Sequence, residues 1–231
     1  MTEALRSSHH VRDLFVTAEV LARQTGLVQA ARDSGVEVTV VGDRVAGALS
    51  ETVHPQGATA VVEIGATDLD AMLATSPRLL VVLEGVADPG NAGTIIRTAA
   101  AAGADAVVFC QGSVDPYGGK CVRATAGALL HLPIVVGADL DDVIDQVRAH
   151  GLAVLAADIG GRDVFELGDD LRRPTAWLFG SESHGLDART VASADAAVRI
   201  PMTQRVESLN LAAAAAICLY ASAKAMSADH E

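Results

Sequence analysis

The stretch "LLVVLEGVADPGNAGTIIRTAAAAGAD", from Leu79 to Asp105, decides the fold. "LLVVLEGV" reads as a strand, Gly85, Pro89 and Gly90 shape a loop, and "NAGTIIRTAAAAG" reads as a helix opening near Asn91. A strand apolar on both faces, followed by a turn and a helix, is the repeating unit of a buried parallel sheet. The same alternation continues outward. Strand "ADAVVFC", helix "CVRATAGALL", strand "LPIVVG", helix "DLDDVIDQVRAHG" and strands "LAVLAADI", "TAWLFG" and "AAVRIPM" follow, and an alanine-rich helix begins at about Glu207.

Toward the N-terminus the texture changes. "DLFVTA", "VEVTVVG" and "TAVVEIG" are short β-branched runs, and "VLARQTGLVQAARDSG" has helical spacing closed by Gly35. "IGATDLDAMLATSPR" connects the two patterns, with Thr67 or Asp68 able to cap a short helix that Pro77 ends. The expected organisation is a small α/β domain over residues 1–76 and a larger α/β domain over 77–231.

Composition sets the outer limits. Of 231 residues, 50% are hydrophobic and only 3% aromatic, so the core is packed from Ala, Val, Leu and Ile, which favours α/β layers. Cys110, Cys121 and Cys218 form no CxxC pair and each lies in or near an apolar segment. They read as reduced core residues of a cytoplasmic protein, and no metal is expected. No uninterrupted apolar stretch is long enough to span a membrane. The net charge of −12 argues against a globally basic nucleic-acid binder and leaves room only for a local basic patch.

Four segments can carry chemistry. In the Leu79–Asp105 stretch, Gly85, Gly90 and Gly93 lack the GxGxxG spacing of a dinucleotide turn, so a nicotinamide oxidoreductase fits poorly. Arg97 stands among small and apolar residues, either as a solvated arginine or as a functional group. In "GSVDPYGGKCVRATAG", Tyr117, Lys120 and Arg123 cluster in a chain with only two lysines; Lys120 and Arg123, three apart, could hold a phosphate or line a solvated turn. "FGSESHG" (Phe179–Gly185) places Glu182 where a GxSxG elbow needs serine, and side chains as close in sequence as Ser183 and His184 tend to diverge, so a serine hydrolase is excluded. In "VRIPMTQRVESLNLAAAAAICLYASAKAM", Ser208 and Asn210 are expected in the first turn of the last helix, where ordinary capping is the simplest role.

Taken in order, "NAGTIIRTA", "LFGSESHGL" and "RIPMTQRVESLNLAAAAAI" resemble the motifs of the SpoU (TrmH-like) branch of the SPOUT RNA methyltransferases, over about Leu79 to Ala225. The N-terminal segment is similar to the family's substrate-binding domain, which resembles a ribosomal RNA-binding protein, with His54 to Gly57 like its "PQG" turn. Glu84 stands where relatives carry aspartate, and the chain starts with less sequence before "VRDLFV" than many relatives have. The resemblance implies a deep trefoil knot, an exception to the rule against threaded connections. It also implies a homodimer and a methyl transfer from S-adenosylmethionine to a ribose 2'-hydroxyl, of ribosomal RNA before transfer RNA. Arg97 would be base or activator, with Asn91, Glu182, Ser208 and Asn210 orienting it and the ribose. Phe179, Gly180, Ile200, Pro201 and Leu209 would contact the cofactor, and Lys120, Arg123 and Arg205 would grip RNA phosphates. The competing reading is a non-catalytic RNA-binding protein that retains the knot.

Overall fold

The computed structural model describes residues 2–7, 11–50, 52, 55–65 and 67–227. The chain divides into two compact units, Met1–Gly65 and Ala66–Glu231.

In the first unit, α1 (Thr2–Arg6) precedes β1 (Val11–Val16), α2 (Ala18–Arg23), α3 (Thr25–Asp33), β2 (Glu37–Val40), α4 (Asp43–Ala48) and β3 (Ala58–Val62). β1 is central, parallel to β2 and antiparallel to β3. The helical run expected as one piece breaks at Gln24, whose φ of −118° and ψ of 50° are not helical. Its N-terminal piece is instead capped by Thr17, whose hydroxyl accepts from Val20 N–H. In the expected "PQG" turn, the Gly57 carbonyl accepts from Thr17 N–H at 2.8 Å, while His54 lies outside the described residues.

The second unit runs α5 (Leu69–Leu73), β4 (Leu79–Leu83), α6 (Pro89–Ala101), β5 (Ala106–Cys110), α7 (Gly119–Ala124), β6 (Ile134–Ala138), α8 (Leu140–Ala149), β7 (Ala153–Asp163), β8 (Thr175–Phe179), α9 (Ala188–Ser193), β9 (Ala196–Arg199) and α10 (Leu211–Ser227). Its six strands lie in the order β6-β5-β4-β8-β7-β9, and every pairing is parallel. All residues of β4, β5 and β8 are buried, as the apolar runs require. Alternate residues serve opposite faces. Leu79, Val81, Leu83, Trp177 and Phe179 pack with α6 and α10, whereas Leu80, Val82, Ala176 and Leu178 pack with α5 and α8. Leu69, Met72 and Leu73 of the connecting helix belong to that second layer.

Two helices differ from expectation. "CVRATAGALL" is α7 and a separate 3-10 turn at Ala128–Leu130, because Ala126 (φ 51°) and Gly127 (φ 96°) turn the chain left-handed. α10 begins at Leu211 rather than near Glu207, so Ser208 and Asn210 precede it. Asn210 is its cap, its side-chain oxygen accepting from Ala212 and Ala213 N–H at 3.0 and 3.3 Å.

β4 and β8 are sheet neighbours although Glu84 and Gly180, the residues that follow them, are far apart in sequence. From β4 the chain steps one way to β5 and β6, then returns across β4 to β7 and β8. The loops leaving the carboxyl ends of β4 and β8 therefore lie side by side at a switch point, where ligands of open α/β sheets bind.

Candidate functional site

α6 starts where Asp88 caps it. The Asp88 side chain accepts from Asn91 N–H at 2.8 Å, and Pro89 fills the first turn without needing a donor partner. The cap aims two backbone N–H groups across to the loop after β8. Glu182 receives them: Ala87 N–H donates to Oε2 and Asp88 N–H to Oε1, each at 3.1 Å. Asn91 Nδ2 adds a third bond to Oε1 at 3.0 Å. Asn210 Nδ2 then donates to Asn91 Oδ1 at 2.9 Å. Asn210, Asn91 and Glu182 thus form a directed relay that joins the first turn of α6 to the loop after β8 and to the segment before α10, 91 and 119 residues further on.

The electrostatics follow from this bonding. Partial burial works to raise the Glu182 carboxyl, but the bonds from the Asn91 side chain and from the backbone N–H groups outweigh it and hold the group below the usual carboxylate range. Glu182 is therefore an ionised acceptor committed to the loop, suited to positioning rather than to taking up a proton. Asp88 is held low as well, first by the Asn91 N–H and then by the Lys120 ammonium, whose Nζ is 3.3 Å from Oδ2.

Gly180 opens the loop that carries Glu182. A Cβ there would lie 2.2 Å from the carbonyl carbon and oxygen of Gly185 and 2.4 Å from Leu186 N. The close approach at Gly180 is thus made by the chain itself, which folds back through a Ser181–Gly185 bridge. The second expected pair in this loop is not as divergent as its sequence adjacency suggested. Ser183 Oγ lies 2.7 Å from His184 Nδ1, and His184 N–H donates to Ser181 Oγ at 3.3 Å. Both side chains are exposed, and among the described residues no carboxylate orients the imidazole as a hydrolytic triad requires.

The remaining candidates fall outside the relay. Arg97 is exposed on α6 and makes no hydrogen bond or ion pair among the described residues. Ser208 is exposed in the segment before α10. Phe179 is buried and its carbonyl accepts from Glu84 N–H at 2.9 Å; Ile200 is half-buried, and Pro201 and Leu209 are exposed. Among the described residues, the one backbone hydrogen bond made from Pro201 to Leu209 is Val206 N–H to the Thr203 carbonyl, at 3.5 Å. Arg123, Arg205 and Lys120 are exposed, and Lys120 pairs with Asp88.

Asp88, bonded to Asn91, Glu182 and Lys120, is the residue of this cluster that sequence reasoning passed over. The signal was present as an aspartate followed by Pro-Gly and, three residues on, by Asn91, which is a helix start. The cysteines stand apart from the site. All three are buried and free, and burial pushes their thiols up, Cys110 and Cys218 to about 12 and Cys121 to about 11. No helix among the described residues is long and apolar enough to cross a membrane.

Comparison with known proteins accords with this geometry. Residues 1–65 match the domain described as RNA 2'-O ribose methyltransferase substrate binding. The 23S rRNA (guanosine(2553)-2'-O)-methyltransferase RlmP of Bacillus subtilis is 33% identical over 219 residues, 94% of this chain and 83% of that protein. The AdoMet-bound rRNA methyltransferase from Sinorhizobium meliloti superposes with a TM-score of 0.83 at 30% identity, covering 96% of this chain and 83% of that one. The SpoU methyltransferase AviRb from Streptomyces viridochromogenes, in complex with AdoMet, gives 0.83 and 30% over 96% and 86%. Residues 78–220, which contain the whole relay, match the SpoU rRNA Methylase family, and the chain belongs to that family.

Proposed function

We propose that this protein methylates a ribose 2'-hydroxyl of ribosomal RNA in the cytoplasm, using S-adenosylmethionine. The observation that carries the reading is the relay from Asn210 through Asn91 to Glu182, which assembles the family's three motifs at the switch point of a parallel sheet. Relatives named as 23S rRNA methyltransferases and neighbours bound to AdoMet supply the substrate and the cofactor.

The residues present fit such a cofactor. Backbone groups between Pro201 and Leu209 are almost free of internal bonds, and exposed Val206 and Leu209 with half-buried Ile200 offer apolar contact beside them. An adenine needs that combination of apolar surface and a few backbone donors and acceptors. Ile200, Pro201 and Leu209, with the Gly180 turn, would hold it, and Phe179 would contribute packing from below. When bound, the group supplies an electrophilic methyl on a sulfonium.

The chain's own residues do the rest. A ribose hydroxyl is a poor nucleophile at neutral pH, so its proton must be weakened and its oxygen held in line. A guanidinium keeps its own proton, so Arg97 acts as an activator that stabilises negative charge developing on the oxygen. Glu182 fixes Asn91 and through it Asn210, leaving Ser208 two residues from the relay to meet the ribose. Lys120, Arg123 and Arg205 provide a local cationic surface for phosphates in an acidic chain. Residues 1–65, rather than the 1–76 expected from sequence, serve as the RNA-binding domain, on the strength of the match there and because α5 packs with the larger sheet.

Two finer features belong to the same reading. The larger unit threads as a trefoil knot. In support, backbone passes backbone without room for a Cβ at Gly180 and again at Gly161, where a Cβ would lie 2.3 Å from Ala197 C and Val198 N. β7 also leaves its ladder with β9 at Ala157 and rejoins it at Arg162. The protein is a homodimer, because Arg97, Ser208 and the open segment before α10 remain exposed and await a second copy to complete the site.

Mapping 2'-O-methyl groups in cellular RNA with and without the gene tests the function. One lost ribosomal site is expected, restored by the wild type and not by Arg97→Ala. Loss confined to transfer RNA would move the substrate, and binding of S-adenosylmethionine and RNA without transfer would favour the non-catalytic alternative.

A further inference from the structure

Gly90 is the second residue of α6, and it faces the capping carboxylate rather than another element. A Cβ at Gly90 would lie 2.8 Å from Asp88 Oδ1, the atom that accepts from Asn91 N–H. Gly90 leaves the carboxylate its present seat over the helix start, and a methyl there would push Asp88 Oδ1 aside. From that seat Asp88 makes three connections. Oδ1 holds the backbone of Asn91, Oδ2 pairs with Lys120, and its own N–H donates to Glu182 Oε1. The backbone of Asn91 is therefore tied to the same acid that orients its side-chain partner.

We propose that Asp88 and Gly90 are a paired set of positioning residues. Asp88 fixes the backbone and hence the side-chain direction of Asn91, and Gly90 keeps clear the space in which that carboxylate must lie. This rests on the methyltransferase reading of the site. Neither residue touches the reacting atoms; both act through Asn91.

Gly90→Ala separates positioning from folding. Alanine is the better helix former, so a purely structural role predicts equal or higher stability and unchanged chemistry. Positioning predicts the opposite for the chemistry: the new methyl displaces Asp88 Oδ1, Asn91 loses its tether, and kcat falls about tenfold or more while KM for both substrates stays within about threefold. Asp88→Ala should show the same loss, and the double variant no further loss, since both remove one tether. Asp88→Asn should recover kcat to within about threefold, because asparagine caps as well as aspartate does.

These variants are to be compared in the full chain by steady-state methyl transfer, thermal unfolding, and the side-chain amide resonances of Asn91 and Asn210, identified by their loss in Asn91→Ala and Asn210→Ala. The expected result is a Gly90→Ala protein that stays folded with a melting temperature close to wild type, the lost cap offsetting the gain in helix propensity, and that turns over slowly with shifted Asn91 amide signals. Wild-type kcat and unshifted amides in that variant would overturn the proposal, as would an Asp88→Asn protein as impaired as Asp88→Ala. Absence of methyl transfer by the wild type would sink the functional reading instead, and the amide signals would still decide whether the pair positions Asn91.

Discussion

The loop after β8 and the segment before α10 meet through Asn91, and they are built in opposite ways. The first is finished: Gly180 packs on Gly185 and Leu186, and Glu182 accepts from Ala87, Asp88 and Asn91. The second is open, with one long backbone bond between Pro201 and Leu209 and with Val206 and Leu209 exposed. Only its last residue, Asn210, is fixed, by capping α10 and by bonding Asn91. The contrast separates a half whose acceptor and donors are already paired from a half whose backbone groups stay largely unbonded.

Substitution at Gly180 would break the finished half most severely. Gly180→Ala forces a methyl into backbone at 2.2 Å, which no rotamer relieves. A loss of about 3 kcal/mol in denaturant unfolding is expected, together with loss of methyl transfer. A substitution at Gly185, on the far side of the same contact and open in space, should cost less by its own crowding, though its φ of 67° adds strain.

Next in size is Glu182→Gln, which places an NH2 group where backbone and Asn91 donors need an acceptor. About a hundredfold loss of kcat is expected with the fold retained, read by steady-state kinetics and circular dichroism. This variant also fixes the sign of a pH effect. A carboxyl lowered on folding stabilises the native state above its ordinary value and loses that contribution as pH falls through the lower, folded one. The melting temperatures of wild type and Glu182→Gln should therefore differ at neutral pH and converge in strong acid. A gap that persists at low pH would mean that charge on Glu182 is not what holds the loop.

The link between the open segment and the sheet is sharpened by Ser222→Ala. Trp177 Nε1 donates to Ser222 Oγ at 2.9 Å with both residues fully buried, anchoring α10, and therefore Asn210, to β8. Stranding that indole N–H should cost about 1–3 kcal/mol in urea unfolding. The smallest expected effect is at Lys120, whose pair with Asp88 is exposed on both sides and contributes little to stability. Lys120→Ala should leave the melting temperature nearly unchanged and reduce the salt dependence of RNA binding by about one phosphate contact; an unaltered slope would remove Lys120 from the RNA surface.

Much of the fold was legible because it rests on local pattern. The apolar runs at β4, β5 and β8 announce strands buried on both faces, and the Gly, Pro and Asn punctuation between them marks loops. Helix ends were less legible. Glu207 or Ser208 can begin α10 by sequence, with Asn210 in its first turn, and the bonds from Ala212 and Ala213 choose Asn210 as the cap instead. The break at Ala126 was invisible because an alanine at φ 51° contradicts its propensity and is held by surrounding structure.

For the site, the resemblance of three motifs to the SpoU family nominated Asn91, Glu182 and Asn210, which residue type and spacing alone left as cap and loop residues. That Glu182 is an anchored acceptor, that Asp88 ties Asn91 from behind, and that Arg97 stands clear of both could come only from the tertiary structure. Motif and periodicity report what each segment prefers by itself. Which loops become neighbours depends on strand order, and here the pairing of β4 with β8 brings Asn91 to a glutamate 91 residues away.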